Sequence, residues 1–155
     1  MASRREEQTF LLVAILIGIY SGLAVVTFRL AIDWIRLTLF GGSLEPTVSR
    51  VLLVPALGGL VVAALVVRLF PTVRGSGVNQ TKAALYIYDG YISVRTVVGK
   101  FLTSALAIGS GQSLGPEDPS LQVGAGLASA LGRVLKLPRE QLRFIAPVGA
   151  AAGLA

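Results

Sequence analysis

The sequence contains no cysteine and no histidine, and only 14% of its 155 residues are charged. Without cysteine the chain has neither a disulfide framework nor thiol chemistry. Without histidine it lacks the usual general base and the commonest zinc ligand. Catalytic triads that need histidine and HExxH metal sites are therefore excluded.

Hydrophobic residues make up 54% of the chain, and its mean hydropathy is +0.74. This composition is too apolar for an ordinary soluble domain and indicates a membrane protein. The net charge of +6 comes from fourteen basic residues that stand singly between apolar blocks. Such residues are typical of headgroup and loop anchors, so we expect contact with membrane lipid and no nucleic-acid partner.

Two long apolar runs predict transmembrane helices. A charged head, residues 1–9, precedes nineteen uncharged residues from Phe10 to Phe28, which as a helix would span about 28 Å. Apolar residues continue to the FGGS break, so the first helix is predicted over 10–40 and the second over 50–70. A cleaved signal peptide is the alternative for the first run, although its head carries as many acids as bases.

The distribution of basic residues predicts how these helices are oriented. The segment from Arg68 to Lys100 holds five basic residues and one acid, Asp89. By the positive-inside rule this segment and the head at 1–9 lie in the cytoplasm. We expect a multi-pass protein of the plasma or inner membrane, without a soluble domain.

Residues 71–155 are predicted to form short, broken helices, unlike the two long transmembrane helices before them. From Phe101 onward the apolar stretches are short and rich in glycine, alanine and serine. Short helices interrupted by glycine allow transporters to place helix ends at membrane depth. The expected fold class is therefore all-α, a polytopic membrane protein with tilted and broken helices.

The stretch LGPEDP, residues 114–119, contains two adjacent carboxylates. A helix that begins near Pro116 or Pro119 and runs to Leu135 would leave free backbone N–H groups at its start, where anions bind. Glu117 is then interpreted as a tethered competitor for a permeating anion, displaced when it is protonated. The alternative is an ordinary acidic residue in the first turn of a helix at an aqueous interface.

The stretch RGSGVNQTK, residues 74–82, is a second candidate anion site. Two glycines around Ser76 permit a tight turn that leaves the hydroxyl and nearby N–H groups available to a ligand. A plain loop is the alternative interpretation. Neither GxxxxGK nor a complete GxGxxG is present, so nucleotide phosphate is not indicated.

Three motifs together resemble a known family: GSGVN at 75–79, LGPEDPSLQVG at 114–124 and GAAAGLA at 149–155. Their order and spacing are similar to those of the CLC family of chloride channels and proton-coupled chloride transporters. The resemblance implies a CLC-like fold, of which 1–155 is the N-terminal part and most of the first inverted repeat. It also implies a homodimer of the full-length protein, chloride and protons as transported partners, no cofactor or metal, and no enzymatic activity.

The resemblance also assigns roles to individual residues. Ser76 matches the serine whose hydroxyl helps to bind the central chloride. Glu117 matches the gating glutamate, which also carries the proton in the transporters. Backbone amides from Glu117 to Ser120 would form a helix-end anion site. The expected anion-binding residues are Gly75, Ser76, Gly77, Glu117, Asp118 and Ser120.

The sequence departs from the family pattern at three positions. Pro116 replaces a basic residue, Asp118 replaces a glycine and Asn79 replaces a proline. The first two changes make the local charge more negative, so external anion capture should be weaker. Asp118 is interpreted as an N-cap or interface residue facing water rather than as a second gate.

The predicted function is that of a CLC chloride channel or chloride–proton exchanger, of the voltage-gated type, with a glutamate gate. A passive anion channel without proton coupling and a non-functional truncated fragment are alternatives. A membrane enzyme with Glu117 and Asp118 as its carboxyl pair is disfavoured, since helical neighbours point about 100° apart. A purely structural membrane protein would leave an intramembrane carboxylate unexplained.

Overall fold

The computed structural model describes residues 4–41 and 47–155, and in these ranges the regular structure is helical. A short 3₁₀ turn, Pro71–Val73, follows the second of six α-helices. The six are α1 Arg4–Phe40, α2 Val48–Arg68, α3 Gly77–Tyr86, α4 Val94–Gly109, α5 Glu117–Val134 and α6 Arg139–Leu154. The expected all-α class is confirmed for the described residues.

The two longest helices, α1 and α2, coincide with the two apolar runs. Helix α1 begins inside the charged head, at Arg4, and continues unbroken to Phe40; Gly41 follows it with a φ of 73°. Helix α2 keeps Pro55 in its interior. Both are long and apolar enough to cross a membrane, by length and composition.

Their surfaces are mostly uncovered. Helix α2 has no buried residue, and only 17% of the most apolar window of α1 is buried. The two glycines of α2 do face neighbouring residues. A Cβ built on Gly58 would overlap the side chain of Ser110, and one built on Gly59 would lie 3.0 Å from Nε2 of Gln112. Lipid or further protein must cover the remaining apolar surface.

Helices α5 and α6 each begin directly after a proline. Helix α5 starts directly after Pro116, and α6 starts directly after Pro138. Proline is favoured at these positions because the first N–H groups of a helix have no partner within it. The predicted helix from Pro116 or Pro119 to Leu135 is confirmed.

Helix α5 lies at the centre of the bundle and crosses α6 with the two backbones in contact. A Cβ on Gly124 would overlap the carbonyl oxygen of Gly149, and a Cβ on Gly153 would lie 2.5 Å from the carbonyl oxygen of Ser120. Helix α1 joins the same crossing, because the buried hydroxyl of Ser21 donates to the Gly124 carbonyl at 3.2 Å. The glycine pair of α6 therefore serves packing within the chain.

The connecting loops gather at two ends of the bundle. At one end the Arg133 side chain donates to the Ile92 carbonyl at 3.0 Å, joining the end of α5 to the α3–α4 loop. Phe10, near the start of α1, packs at this same end. At the other end Gly111 of the α4–α5 loop lies against Phe40, with 3.0 Å between a Cβ built there and the Phe40 ring. The starts of α3 and α5 lie between these two ends.

Candidate functional site

The N-terminus of α3 is shaped by the two glycines of GSG. Gly75 has a φ of 90°, a conformation that residues with a Cβ rarely adopt. Gly77 is required for a different reason, since a Cβ there would lie 2.7 Å from the Asp118 carbonyl oxygen. Between them Ser76 is the N-cap, accepting a long hydrogen bond from the Asn79 N–H at 3.5 Å. The start of α3 is thereby held directly against the start of α5.

Three donors of this helix end converge on one carboxylate, that of Asp118. The Ser76 hydroxyl donates to Oδ1 at 2.8 Å, and the Val78 N–H donates to the same oxygen at 3.1 Å. The Gly77 N–H donates to Oδ2 at 2.7 Å. These distances are typical of charge-assisted hydrogen bonds at a helix N-terminus. The predicted anion site is therefore occupied by an anion from the protein's own chain.

Lys100 supplies a positive charge beside the same carboxylate. Only 7% of this α4 residue is exposed, and its Nζ lies 3.6 Å from Asp118 Oδ2. The ammonium group also donates to the Gly75 carbonyl at 2.9 Å. The positive-inside rule predicts that Lys100 belongs to a cytoplasmic segment between helices, but Lys100 lies buried inside α4. Its position inside an apolar helix was the signal that could have identified it.

Glu117 occupies a different position from its neighbour. Its side chain is exposed and folds back over Gly115, where a Cβ would overlap the Glu117 carboxylate. Adjacent residues on a helix diverge by about 100°, so Asp118 reaches α3 whereas Glu117 lies at the open mouth of α5. The structure thus separates the two carboxylates that the sequence placed together.

Two sequence-based assignments need correction. The Ser120 N–H donates to the Pro116 carbonyl at 2.9 Å, so it belongs to the first turn of α5 and is not free for an anion. Asp118 is not an N-cap facing water, because its carboxylate caps a different helix, α3. The contact of Asp118 with α3 could not be inferred from sequence, since it joins residues about forty positions apart.

A cavity of about 360 Å³ opens beside the carboxylate, and Arg74, Lys100, Gln112 and Asp118 contribute polar groups to its wall. Next to it, Gln122 of α5 is 1% exposed, and its Oε1 has no hydrogen-bond partner among the described residues. This oxygen lies 2.8 Å from a Cβ built on Gly77. A buried acceptor without a hydrogen-bond partner is unusual. The site therefore combines donors, a cation and open space.

Comparison with known proteins places this arrangement in a family. The family model described as voltage gated chloride channel matches residues 58–155. The chain is 31% identical to a putative chloride channel protein, ClcB-like, of Ralstonia nicotianae over 93% of its length. It is 30% identical to the H⁺/Cl⁻ exchange transporter ClcA of Vibrio cholerae over 94% of its length, and 26% identical to the chloride channel protein CLC-f of Arabidopsis thaliana.

A solved structure gives the same result. The crystal structure of a slow cyanobacterial Cl⁻/H⁺ antiporter superposes with a TM-score of 0.74 at 28% identity, covering 94% of this chain and 36% of that one. Among the curated relatives above, the chain spans between 21% and 36% of their length. Because the family model matches more than half of the residues, and the helices superpose on an antiporter, the chain belongs to the voltage-gated chloride channel family, the CLC family.

Proposed function

We propose that the chain forms the N-terminal part of a chloride pathway in a multi-pass membrane protein that exchanges chloride for protons, with Glu117 as its gate. Relatives named as H⁺/Cl⁻ exchange transporters and a structural neighbour described as a Cl⁻/H⁺ antiporter support this proposal. Members named as chloride channels support the alternative, a passive channel. Both functions require an anion site, and neither requires catalysis.

The observation that carries the proposal is the convergence of the Ser76 hydroxyl and the Gly77 and Val78 N–H groups on one anionic group. These three donors are neutral, and the Lys100 ammonium lies 3.6 Å from the same anionic group. A chloride ion of similar charge can use the same donors. The start of α3 is therefore a chemically suitable step on an anion path.

Glu117 supports the gating part of the proposal by its location. Its carboxylate is exposed at the start of α5, where the helix dipole attracts negative charge. An ionised Glu117 competes with chloride for this end of the helix, whereas a protonated one does not. Proton binding at this residue would then couple to anion passage.

The membrane setting is part of the same proposal. The end of the bundle that contains the start of α1 and the α3–α4 and α5–α6 loops is assigned to the cytoplasm, with the full-length protein a homodimer. Basic residues near that end, including Arg133, Lys136 and Arg139, follow the positive-inside rule.

The experiment is chloride efflux from liposomes, with proton movement recorded at the same time, using the full-length protein and its Glu117→Gln variant. We expect the parent to move protons against their gradient, driven by chloride, and the variant to move chloride without protons. Glu140→Gln is the matched control, because Glu140 is an exposed acid in the first turn of α6. Chloride flux without proton movement in the parent would favour the channel, and no anion flux would refute both.

A further inference from the structure

The site contains one group that chloride transport does not explain: the Asp118 carboxylate already sits where an anion would bind. Both of its oxygens are engaged, Oδ1 by Ser76 and Val78 and Oδ2 by Gly77. Three donors at hydrogen-bond distance make this a complete anion-binding arrangement. An anion that binds at the start of α3 must therefore compete with this carboxylate for the three donors.

Lys100 makes the occupation electrostatically favourable. Its buried ammonium lies 3.6 Å from Asp118 Oδ2, and a buried lysine without an anionic partner is costly. The same lysine would attract a chloride ion if the carboxylate moved away. The positive charge of Lys100 is therefore balanced by one anion, either the Asp118 carboxylate or an ion from solution.

The site is not sealed. The Asp118 side chain is 38% exposed, and it borders the cavity of about 360 Å³ that also reaches Lys100. The unpartnered Oε1 of the buried Gln122 lies on the other side, beside Gly77. The cavity thus gives the carboxylate space into which it can be displaced. The three donors and Lys100 would then be available to a replacement ion.

We infer that Asp118 is a second tethered anion, distinct from Glu117, which fills the anion site at the start of α3 and must be displaced by each bound chloride. The inference rests on the proposed function and deepens it, because Asp118 then sets the apparent affinity of the pathway for small monovalent anions. If the carboxylate occupies the site for about nine-tenths of the time, it weakens apparent chloride affinity about tenfold. Asp118 and Glu117 would act at separate helix ends.

The test is equilibrium chloride binding to the purified full-length protein, comparing the parent with Asp118→Asn. Asparagine keeps the size of the side chain and removes its charge, so we expect chloride to bind about tenfold more tightly. The matched control is Asp89→Asn, which removes an exposed carboxylate 3.8 Å from Arg139. Its φ of 50° is well tolerated by asparagine, and we expect parental affinity.

A second measurement separates competition from a purely structural latch between α3 and α5. Thermal stability is measured in chloride and in gluconate at equal ionic strength, for the parent, Asp118→Asn and Asp118→Gly. Under our inference chloride stabilises both variants more than the parent, since the ion replaces the missing carboxylate beside Lys100. A latch predicts variants that are less stable and no more responsive to chloride than the parent.

The outcomes also distinguish this inference from the proposed function. An inactive parent in the liposome assay would overturn chloride transport, while tighter chloride binding by Asp118→Asn would still support the tethered anion. An active parent whose affinity is unchanged by Asp118→Asn and Asp118→Gly would overturn the tethered anion alone.

Discussion

At the scale of the residue, the two acids of LGPEDP have different partners although they are adjacent. Asp118 points to the start of α3 and is held by three donors, whereas Glu117 is exposed over Gly115. The helix itself causes this separation, since successive side chains diverge by about 100°. One chain segment thereby places carboxylates at two helix ends.

Lys100 provides a prediction at the same scale. With Asp118 replaced by asparagine, the Lys100 ammonium still lies at the start of α3, where it donates to the Gly75 carbonyl at 2.9 Å. Lys100→Met in this background should weaken chloride binding about tenfold, corresponding to about 1.4 kcal/mol, because it removes an attraction felt at a few ångströms in a partly buried site. Chloride titration of the purified protein provides the measurement.

The matched control for Lys100→Met is Lys82→Met in the same background. Lys82 is an exposed cation of α3, so its charge is screened by solvent and salt. We expect its replacement to change chloride affinity less than twofold, an effect of less than about 0.5 kcal/mol. Equal effects of the two substitutions would contradict a specific role for Lys100.

At the scale of the element, the α5–α6 crossing depends on the absence of side chains. Gly124 and Gly149 face each other so closely that a Cβ on either would overlap the carbonyl oxygen of the other. Glycines of this kind let membrane helices approach to backbone contact. The same approach positions the start of α5, and with it the two carboxylates.

Gly149→Ala should therefore destabilise the bundle. We expect a loss of about 1–3 kcal/mol, as for other overpacked interiors, seen as a lower melting temperature in detergent. Gly18→Ala is the matched control, because a Cβ built on Gly18 of α1 has nothing within 4 Å. Alanine is the better helix former by about 0.5–1 kcal/mol, so this control should be neutral or stabilising. Equal melting temperatures for the two variants would refute the proposed contact.

At the scale of the whole molecule, the helices define two ends, and the proposed orientation assigns one of them to the cytoplasm. The start of α1 and the α3–α4 loop share that end, whereas Gly111 and Phe40 lie at the opposite end. Since this chain contains no cysteine, single cysteines introduced into it report on a defined position.

A labelling experiment tests the orientation. A cysteine at Tyr88, a residue of the α3–α4 loop that is 60% exposed, should resist a membrane-impermeant maleimide applied to intact cells. A cysteine at Leu114, which is 56% exposed in the α4–α5 loop, should react. After the membrane is permeabilised both should react, and the reverse pattern in intact cells would invert the proposed orientation.

Local sequence patterns were enough to predict the two long apolar helices, the start of α5 and part of the site, namely Ser76 and the carboxylate pair of LGPEDP. Long apolar runs can only satisfy their backbone groups in a membrane as helices, and proline marks the start of α5 through its missing N–H. The order of the GSGVN, LGPEDPSLQVG and GAAAGLA motifs was enough to indicate the family. The glycines on either side of Ser76 predicted a tight turn, and Gly75 has the positive φ of 90° that such a turn requires.

Which groups meet at the site depends on how the helices pack. The contact between Asp118 and the start of α3 joins residues about forty positions apart, and Lys100 enters from a third helix. No local pattern encodes such contacts, because they depend on how closely α5 approaches α3 across Gly77. The sequence therefore predicted a helix-end anion site and its donors, whereas packing decided that the anion already bound there is Asp118.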